Sequence, residues 1–500
     1  MLVSFSLVRV PIPGVNEPHY LGKAKHYWNP TWCDDDFFLE SSNPHVVFYY
    51  TFGWLTRSLS LNDVAWFGRI FGLIPLAIGW TALGKRICGS QELSIVALGF
   101  FLMLHAAGNW SGEWLVGGIE SKTIAYGFLF WSIAEAMSLR ILPAGLLAGL
   151  AISFHPIIGV WGSLAALLGT VGLLFSRDRR QVWTGAPPAM SWGIAAAFFI
   201  LAAVPGLTPA LRLVSDGDPA DVLTATHLQV AHRLAHHLDP MMFLKTSHRF
   251  FVMLLIVWGL LLSTEKSTRL EVKWWRLLVC ASLLSAFVGV LIAWGPRPIK
   301  TMTGYEWRMS ALKFYPYRLA DILLPVSVSF SAAISCAAAL RAKLQRPLLR
   351  SSVLTLLTVI CLVIALQMPG SDRNSSNMSA ATEADWISAA QWIDENTAKT
   401  DLIYSLENQW AVKWFANRAE FVNYKDCPQD TQGILEWNDR LWTISKWKTK
   451  ATQDSLITLP ELAELHTATG IDWIIFGKYW KVDVEPDYKN QHFRIYRTAQ

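Results

Sequence analysis

The stretch Trp28-Asn29-Pro30-Thr31-Trp32-Cys33-Asp34-Asp35-Asp36-Phe37-Phe38-Leu39-Glu40-Ser41 sets three consecutive acids between aromatic residues. Adjacent carboxylates repel one another, so such a run favours solvent or a cation. One of Asp34, Asp35 and Asp36 is suited to take a proton from a hydroxyl. Another is suited to hold a divalent cation such as Mg or Mn. The plainer alternative is a solvated loop, or a helix start favoured by negative charge.

Three further constellations carry reactive side chains. Asn109-Trp110-Ser111-Gly112-Glu113-Trp114 is followed by Gly117-Gly118-Ile119-Glu120-Ser121-Lys122. Paired glycines let backbone approach a ligand closely. Glu113 and Glu120 are candidates to complete a metal or acceptor site, with Lys122 beside them, unless the segment is only a tight connector. The third group is His227, His232, Arg233, His236, His237, Asp239 and His248. His232 and His236 are four apart and so share one face of a helix, a spacing that can ligate metal. A sugar- or phosphate-binding loop and an interfacial amphipathic helix are the other readings. The fourth is Lys313-Phe314-Tyr315-Pro316-Tyr317-Arg318-Leu319-Ala320-Asp321. Lys313 and Arg318 can grip a phosphate, Arg by a bidentate fork, or can anchor a span end by snorkelling. His155-Pro156 marks the broken end of another apolar segment.

What positions these residues is a chain poor in charge. Of 500 residues 52% are apolar and only 16% charged, against about 25% charged in a soluble domain. The mean hydropathy is +0.30. Apolar runs recur at 64–84, 91–108, 123–139, 142–155, 157–175, 190–207, 250–264, 277–294, 320–340 and 351–368, and most are long enough to read as membrane spans. The fold class expected is therefore mostly α, a polytopic bundle of about ten transmembrane helices.

The connectors alternate in character. One set is short and basic: Lys85 and Arg86; Arg140; Arg177-Asp178-Arg179-Arg180; Lys266, Arg269, Lys273 and Arg276; Arg341, Lys343, Arg346 and Arg350. The positive-inside rule puts this set in the cytoplasm. The long, mixed connectors then lie outside, with the tail. All twelve His fall on that outer set or on the outer ends of spans.

Three regions follow: an acidic outer first loop at 1–63, a transmembrane domain at 64–368, and a soluble extracytoplasmic α/β domain at 369–500. In the tail, residues 383–395 and 459–469 read as helices, the second stopped by Gly470, while 401–406 and 471–477 read as strands. Met1 to Val10 is apolar but too short to span, so either a first span lies upstream or the first 60 residues pack on the membrane surface. Cys33 and Cys427 are the two outer cysteines, and a disulfide between them is an open reading. There is no phosphate-binding loop, dinucleotide motif, paired CxxC or nucleic-acid signature.

The chain resembles the GT-C superfamily of polytopic membrane glycosyltransferases, and more closely an uncharacterised bacterial multi-pass family near it. The likeness runs through Asn16-Glu17-Pro18-His19-Tyr20, Trp28 to Ser41, Gly112 to Tyr126, Arg233 to Pro240 and Tyr315 to Asp321. In the tail it takes in Tyr424 to Pro428 and Glu436 to Arg440. The resemblance implies transfer of a sugar from a polyprenyl-phosphate donor, in the inner (plasma) membrane, to an extracytoplasmic acceptor. It implies Asp36 as the catalytic acid, with Asp35 and Asp34 behind it, and Glu113 or Glu120 orienting an acceptor or metal. Lys122, His155, His236, His237, Lys313 and Arg318 would line the substrate site. A transporter or a non-catalytic envelope protein is the rival class. A transporter needs ionisable groups or broken helices at mid-membrane, and only Glu135 and Arg140 approach that. The sidedness is testable: a reporter joined after Gln500 is expected to be active only outside the cytoplasm, and activity confined to the cytoplasm would overturn the topology.

Overall fold

The computed structural model describes residues 1–177, 187–214, 217–265 and 267–499. Asp178, Arg179, Arg180 and Lys266 of the basic connectors lie outside that set. Each of the ten apolar segments is a helix: Leu61–Cys88, Gln91–Ala107, Ser121–Met137, Ile141–Phe154, Pro156–Leu174, Ala189–Val214, Lys245–Thr264, Leu270–Ala293, Arg318–Lys343 and Pro347–Gln367. Seven are long and apolar enough to cross a membrane. The protein is thus a multi-pass membrane protein. Ile141–Phe154, at 14 residues, is about 21 Å long and short of the ~30 Å hydrocarbon core. It stops because His155 is extended (φ −149°, ψ 97°) and Pro156 opens the next helix.

The chain divides into two compact units, one comprising residues 1–10, 68–210 and 229–373 and the other residues 11–67, 211–228 and 374–500. In the first, the membrane unit, Arg318–Lys343 is the core helix, buried over 67% of its apolar window against 17% for Lys245–Thr264. It packs against Gln91–Ala107 and Lys245–Thr264. Small residues let the helices approach: a Cβ on Gly79 or Gly127 would run into the facing backbone, the packing mode of helices in lipid. The N-terminal helix Leu2–Arg9 belongs to this unit. Arg69 donates to the Ser6 and Val10 carbonyls at 3.0 and 2.7 Å. Arg9 forms a two-pronged pair with Asp372 at 2.6 and 2.8 Å. It also donates to the carbonyls of Ala365 and Met368 at 2.7 and 2.6 Å, so it satisfies the last turn of Pro347–Gln367.

The second unit holds a five-stranded sheet, ordered β2-β1-β3-β5-β4, with β1 Leu402–Ser405, β2 Ala419–Glu420, β3 Trp473–Gly477, β4 Tyr488–Lys489 and β5 Phe493–Arg497. β2, β1 and β3 run parallel, and β5 is antiparallel to β3 and β4. Strand alternation sends Ile403, Ile475 and Ile495 to a cluster with Trp386 and Ile393. It sends Tyr404, Ile474 and Tyr496 to another with Trp437, Trp447 and Leu462. Helices therefore cover both faces, which makes three layers. Gly470 caps Leu459–Thr469 in the left-handed conformation (φ 73°), as its position suggested.

The second unit joins segments from both ends of the chain. The first loop and the tail, read as separate regions, share one compact unit with residues 211–228; Phe37 packs on the tail's core. Cys33 and Cys427 are both free thiols.

Because Arg9 and Asp372 are both buried, Arg9→Met strands a carboxylate without its partner. A loss of about 3–5 kcal/mol is expected, read as a lowered Tm in detergent, with Asp372→Asn on top of it recovering part of the loss.

Candidate functional site

Asp321, one turn into the core helix, organises the membrane unit's reactive residues. Its Oδ1 accepts the Trp110 N–H at 2.6 Å, and its Oδ2 accepts the Ser111 N–H at 2.7 Å, the Ser111 hydroxyl at 2.9 Å and the Glu113 N–H at 3.2 Å. The 110–113 loop is thereby folded around a single carboxylate. Gly112 must be glycine in this loop: its φ is +80°, and a Cβ would enter the His237 ring. The ring's Nδ1 in turn donates to the Ser111 carbonyl at 2.7 Å. With His237 held neutral, burial and neighbouring His236 and Arg318 pull its pKa down to about 3.

This loop delivers Glu113 to Arg318. Glu113 is 1% exposed, and its Oε2 lies 3.0 Å from Arg318 Nε. Its other oxygen, Oε1, is buried with no hydrogen-bond partner among the described residues. Burial raises the Glu113 pKa against the pull of Arg318 and Lys122. Arg318 Nη1 points at His155 Nε2, 3.4 Å away. Its guanidinium lies 3.9 Å from the Tyr315 ring centre, a cation–π geometry, and Tyr126 donates to its backbone carbonyl at 3.3 Å. Lys122 pairs with Glu120 at 3.0 Å, and both lie within electrostatic reach of Glu113. Glu113, Glu120, Lys122, His155, His237 and Arg318, picked out separately in sequence, thus meet in one unit. Lys313, half-buried five residues before Arg318, makes no ion pair among the described residues, and burial lowers its pKa.

His232 and His236 do not share a helix face. His232 sits in a wide π-type turn, Leu228–Arg233, and His236 in the short helix Ala235–Leu238, with Leu234 breaking the run. His236 instead packs against His237, the two rings tilted by 47° with their centres 4.0 Å apart.

The three acids of the first loop lie in the second unit. Asp36 is fully buried. Its Oδ1 caps the helix Phe37–Glu40 by accepting the Leu39 N–H at 2.9 Å. Its Oδ2 accepts the Glu420 N–H at 2.9 Å and faces Lys413 at 3.3 Å. A carboxylate so engaged stitches the first loop to the tail; the free base expected of Asp36 is not its geometry. Lys413 also pairs with Glu420 at 2.5 Å and Asp426 at 3.0 Å. Burial alone would lower the Lys413 pKa, yet the three carboxylates hold it well above its usual value. Burial raises Glu420 to about 7, while Lys413 and His19 keep Asp426 ionised. Lys23 donates to the Ser41 carbonyl and hydroxyl and to the Ser42 carbonyl, at 2.9, 2.8 and 3.2 Å.

Asp34 and Asp35 are exposed. With Glu40 they offer three oxygens within 4.8 Å of one another, a hard donor set that suits Mg or Mn. Asp35 and Glu40 border an open cleft of about 580 Å³ that also takes in Ser42, Phe421, Asp430 and Arg440.

Neither Asp321 nor Lys413 was given a role from sequence. Asp321 closes the Tyr315–Asp321 stretch, three residues from Arg318 on one helix face. Lys413 stands alone among Ala411, Val412, Trp414 and Phe415, and a lone cation in such a run is a sign of a buried partner.

A family model described as a domain of unknown function (DUF6798) matches residues 384–444. No curated protein matches the chain. Among solved structures, the chain is similar to an oligosaccharyltransferase of Archaeoglobus fulgidus in complex with zinc and sulfate, at 13% identity and a TM-score of 0.40. The similarity covers 95% of this chain and 66% of that one.

Lys23 gives a pH signature. Burial lowers its pKa to about 7, so above that pH the folded state has released a proton that the unfolded chain keeps until its ordinary value near 10.5. The unfolded state then binds more protons, and stability rises with pH across that window, by up to about 1.4 kcal/mol per pH unit. Thermal melts of the full chain at pH 7 to 10 should show the rise, and Lys23→Met should flatten it.

Proposed function

We propose that this protein is a membrane glycosyltransferase of the GT-C type, moving a sugar from a polyprenyl-phosphate donor to a hydroxyl acceptor. It would work in the plasma membrane, with the tail, from about residue 369, outside the cytoplasm. The observation that carries this reading is the buried Glu113–Arg318 pair, with one carboxylate oxygen unclaimed, at the ends of membrane helices. A lipid-phosphate substrate calls for a cation for its phosphate and a carboxylate for its acceptor, both near the bilayer.

In this reading the acceptor oxygen attacks the anomeric carbon. The carbon–oxygen bond to phosphate breaks, and polyprenyl phosphate leaves with the bonding electrons. Glu113 Oε1 takes the acceptor's proton. A carboxylate whose pKa is raised by burial is the better base near neutral pH. Arg318 holds the phosphate as charge grows on it. Its Nε serves Glu113, and a guanidinium is the cation whose planar fork matches phosphate oxygens. Lys122 and His155 border the same place. Glu120 holds Lys122 in position, and His237 fixes the loop that carries Glu113. Asp34, Asp35 and Glu40 are the residues that would hold a divalent cation, whose charge would offset their mutual repulsion. Asp36 serves the fold.

Glu113→Gln keeps the volume but removes the base. It should cut transfer from a radiolabelled polyprenyl-phosphate hexose by about 100- to 10,000-fold while donor binding persists. Arg318→Lys keeps the charge but loses the planar fork, and should raise the donor KM more than it lowers kcat. Near-normal transfer by Glu113→Gln would exclude Glu113 as the base.

A further inference from the structure

A second site lies just before the first long span. Trp28, Trp54, Arg57 and Ser58 line an open groove of about 520 Å³. The groove is built rather than incidental. The Trp28 indole N–H donates to the Tyr49 carbonyl at 2.9 Å, and that of Trp54 donates to the Thr51 carbonyl at 3.1 Å. Both rings are therefore held with their polar edges occupied. Gly53 packs so tightly on the helix Glu17–Trp28 that a Cβ would sit 2.7 Å from the Ala24 carbonyl oxygen and from the Trp28 ring. Arg57 is exposed at the end of the short helix Gly53–Arg57. It has no hydrogen-bond or ion-pair partner among the described residues.

The surroundings say where this groove is. The helix Leu61–Cys88 begins three residues after Ser58. Trp66 and Phe67, in the same unit as the groove, are exposed in the first turns of that helix. Tyr27 and Tyr50 are exposed near the groove, joined through their hydroxyls at 2.9 Å. Trp and Tyr gather where bilayer meets water, and these aromatic residues lie just ahead of the first long apolar helix. A guanidinium in such an aromatic setting has the charge to attract a lipid phosphate. The acid nearest in sequence, Asp63, accepts a hydrogen bond from the Ser60 hydroxyl at 2.6 Å.

We propose that the groove binds the head group of an anionic membrane phospholipid, with Arg57 on its phosphate, the Ser58 hydroxyl beside it, and Trp28 and Trp54 flanking the glycerol. The site is independent of sugar transfer, and it gives the second unit its own hold on the bilayer.

The test uses the full chain in nanodiscs of phosphatidylcholine containing a photoactivatable phosphatidylglycerol, with adducts mapped by peptide mass spectrometry. Crosslinks should fall on peptides covering residues 28–58. Arg57→Ala should lower their yield about five-fold, the weight of one basic residue at a membrane surface, and Arg57→Lys should restore most of it. Arg57 is exposed, so both variants should fold, which an unchanged Tm would verify. Trp54→Ala should lower the yield with Arg57 intact. The proposal is overturned by an unchanged yield in Arg57→Ala, or by equal capture of a phosphatidylcholine probe. It is also overturned if excess inorganic phosphate abolishes labelling, since the groove would then be a site for soluble phosphate.

Discussion

One carboxylate sets the geometry of the membrane unit. Asp321 is 4% exposed, and a charge in that position is tolerable only if its oxygens are filled. The 110–113 loop fills them with three backbone N–H groups and a hydroxyl. The loop conformation is therefore a by-product of satisfying Asp321, and the placement of Glu113 follows from the loop. Arg318 stands one turn earlier on the same helix, so a single rigid element supplies both the clamp and the guanidinium. Arg318–Lys343 is also the most buried of the long spans, which fixes the pair against the rest of the bundle.

The second unit solves the same problem with a different balance. Three carboxylates converge on Lys413, and their sum exceeds its charge. Burial offsets the excess by holding Glu420 protonated to about pH 7, and Asp36 spreads its charge over two backbone N–H donors. Trp32 adds a neutral tie, its indole N–H donating to Asn417 at 2.9 Å. Polar networks of this kind are costly when incomplete, so the acidic segment depends on the tail for its conformation.

Much of the fold was legible because lipid imposes length. Ten apolar runs became ten helices, with ends displaced by a few residues where polar turns such as Leu270–Arg276 continue a helix past its apolar stretch. Gly470 and the Leu459–Thr469 helix were readable from local chemistry. The two-residue strands β2 and β4 were not, because pairing rather than local sequence defines strands that short. The candidate site was legible in composition but not in assignment. Glu113, Lys122, His155, His237 and Arg318 stood out as ionisable residues beside apolar segments. Asp36 stood out for its neighbours, yet whether a carboxylate is free or filled depends on Glu420, 384 residues away. The His232–His236 spacing misled because a helical period holds only while the helix continues, and Leu234 ends it.

That separation bears on how the molecule is made. The second unit draws on three stretches of chain, with most of the membrane unit's sequence between the first and the last. During synthesis at about 5–20 residues per second, roughly 20–80 s pass between the appearance of Asp36 and that of Glu420. For that interval the acidic segment exists without the lysine and the backbone donors that complete it, while the helices between are already being inserted. The first residues of the second unit to be made are thus among the last to reach their final structure, and a chain cut short before the tail leaves them without one.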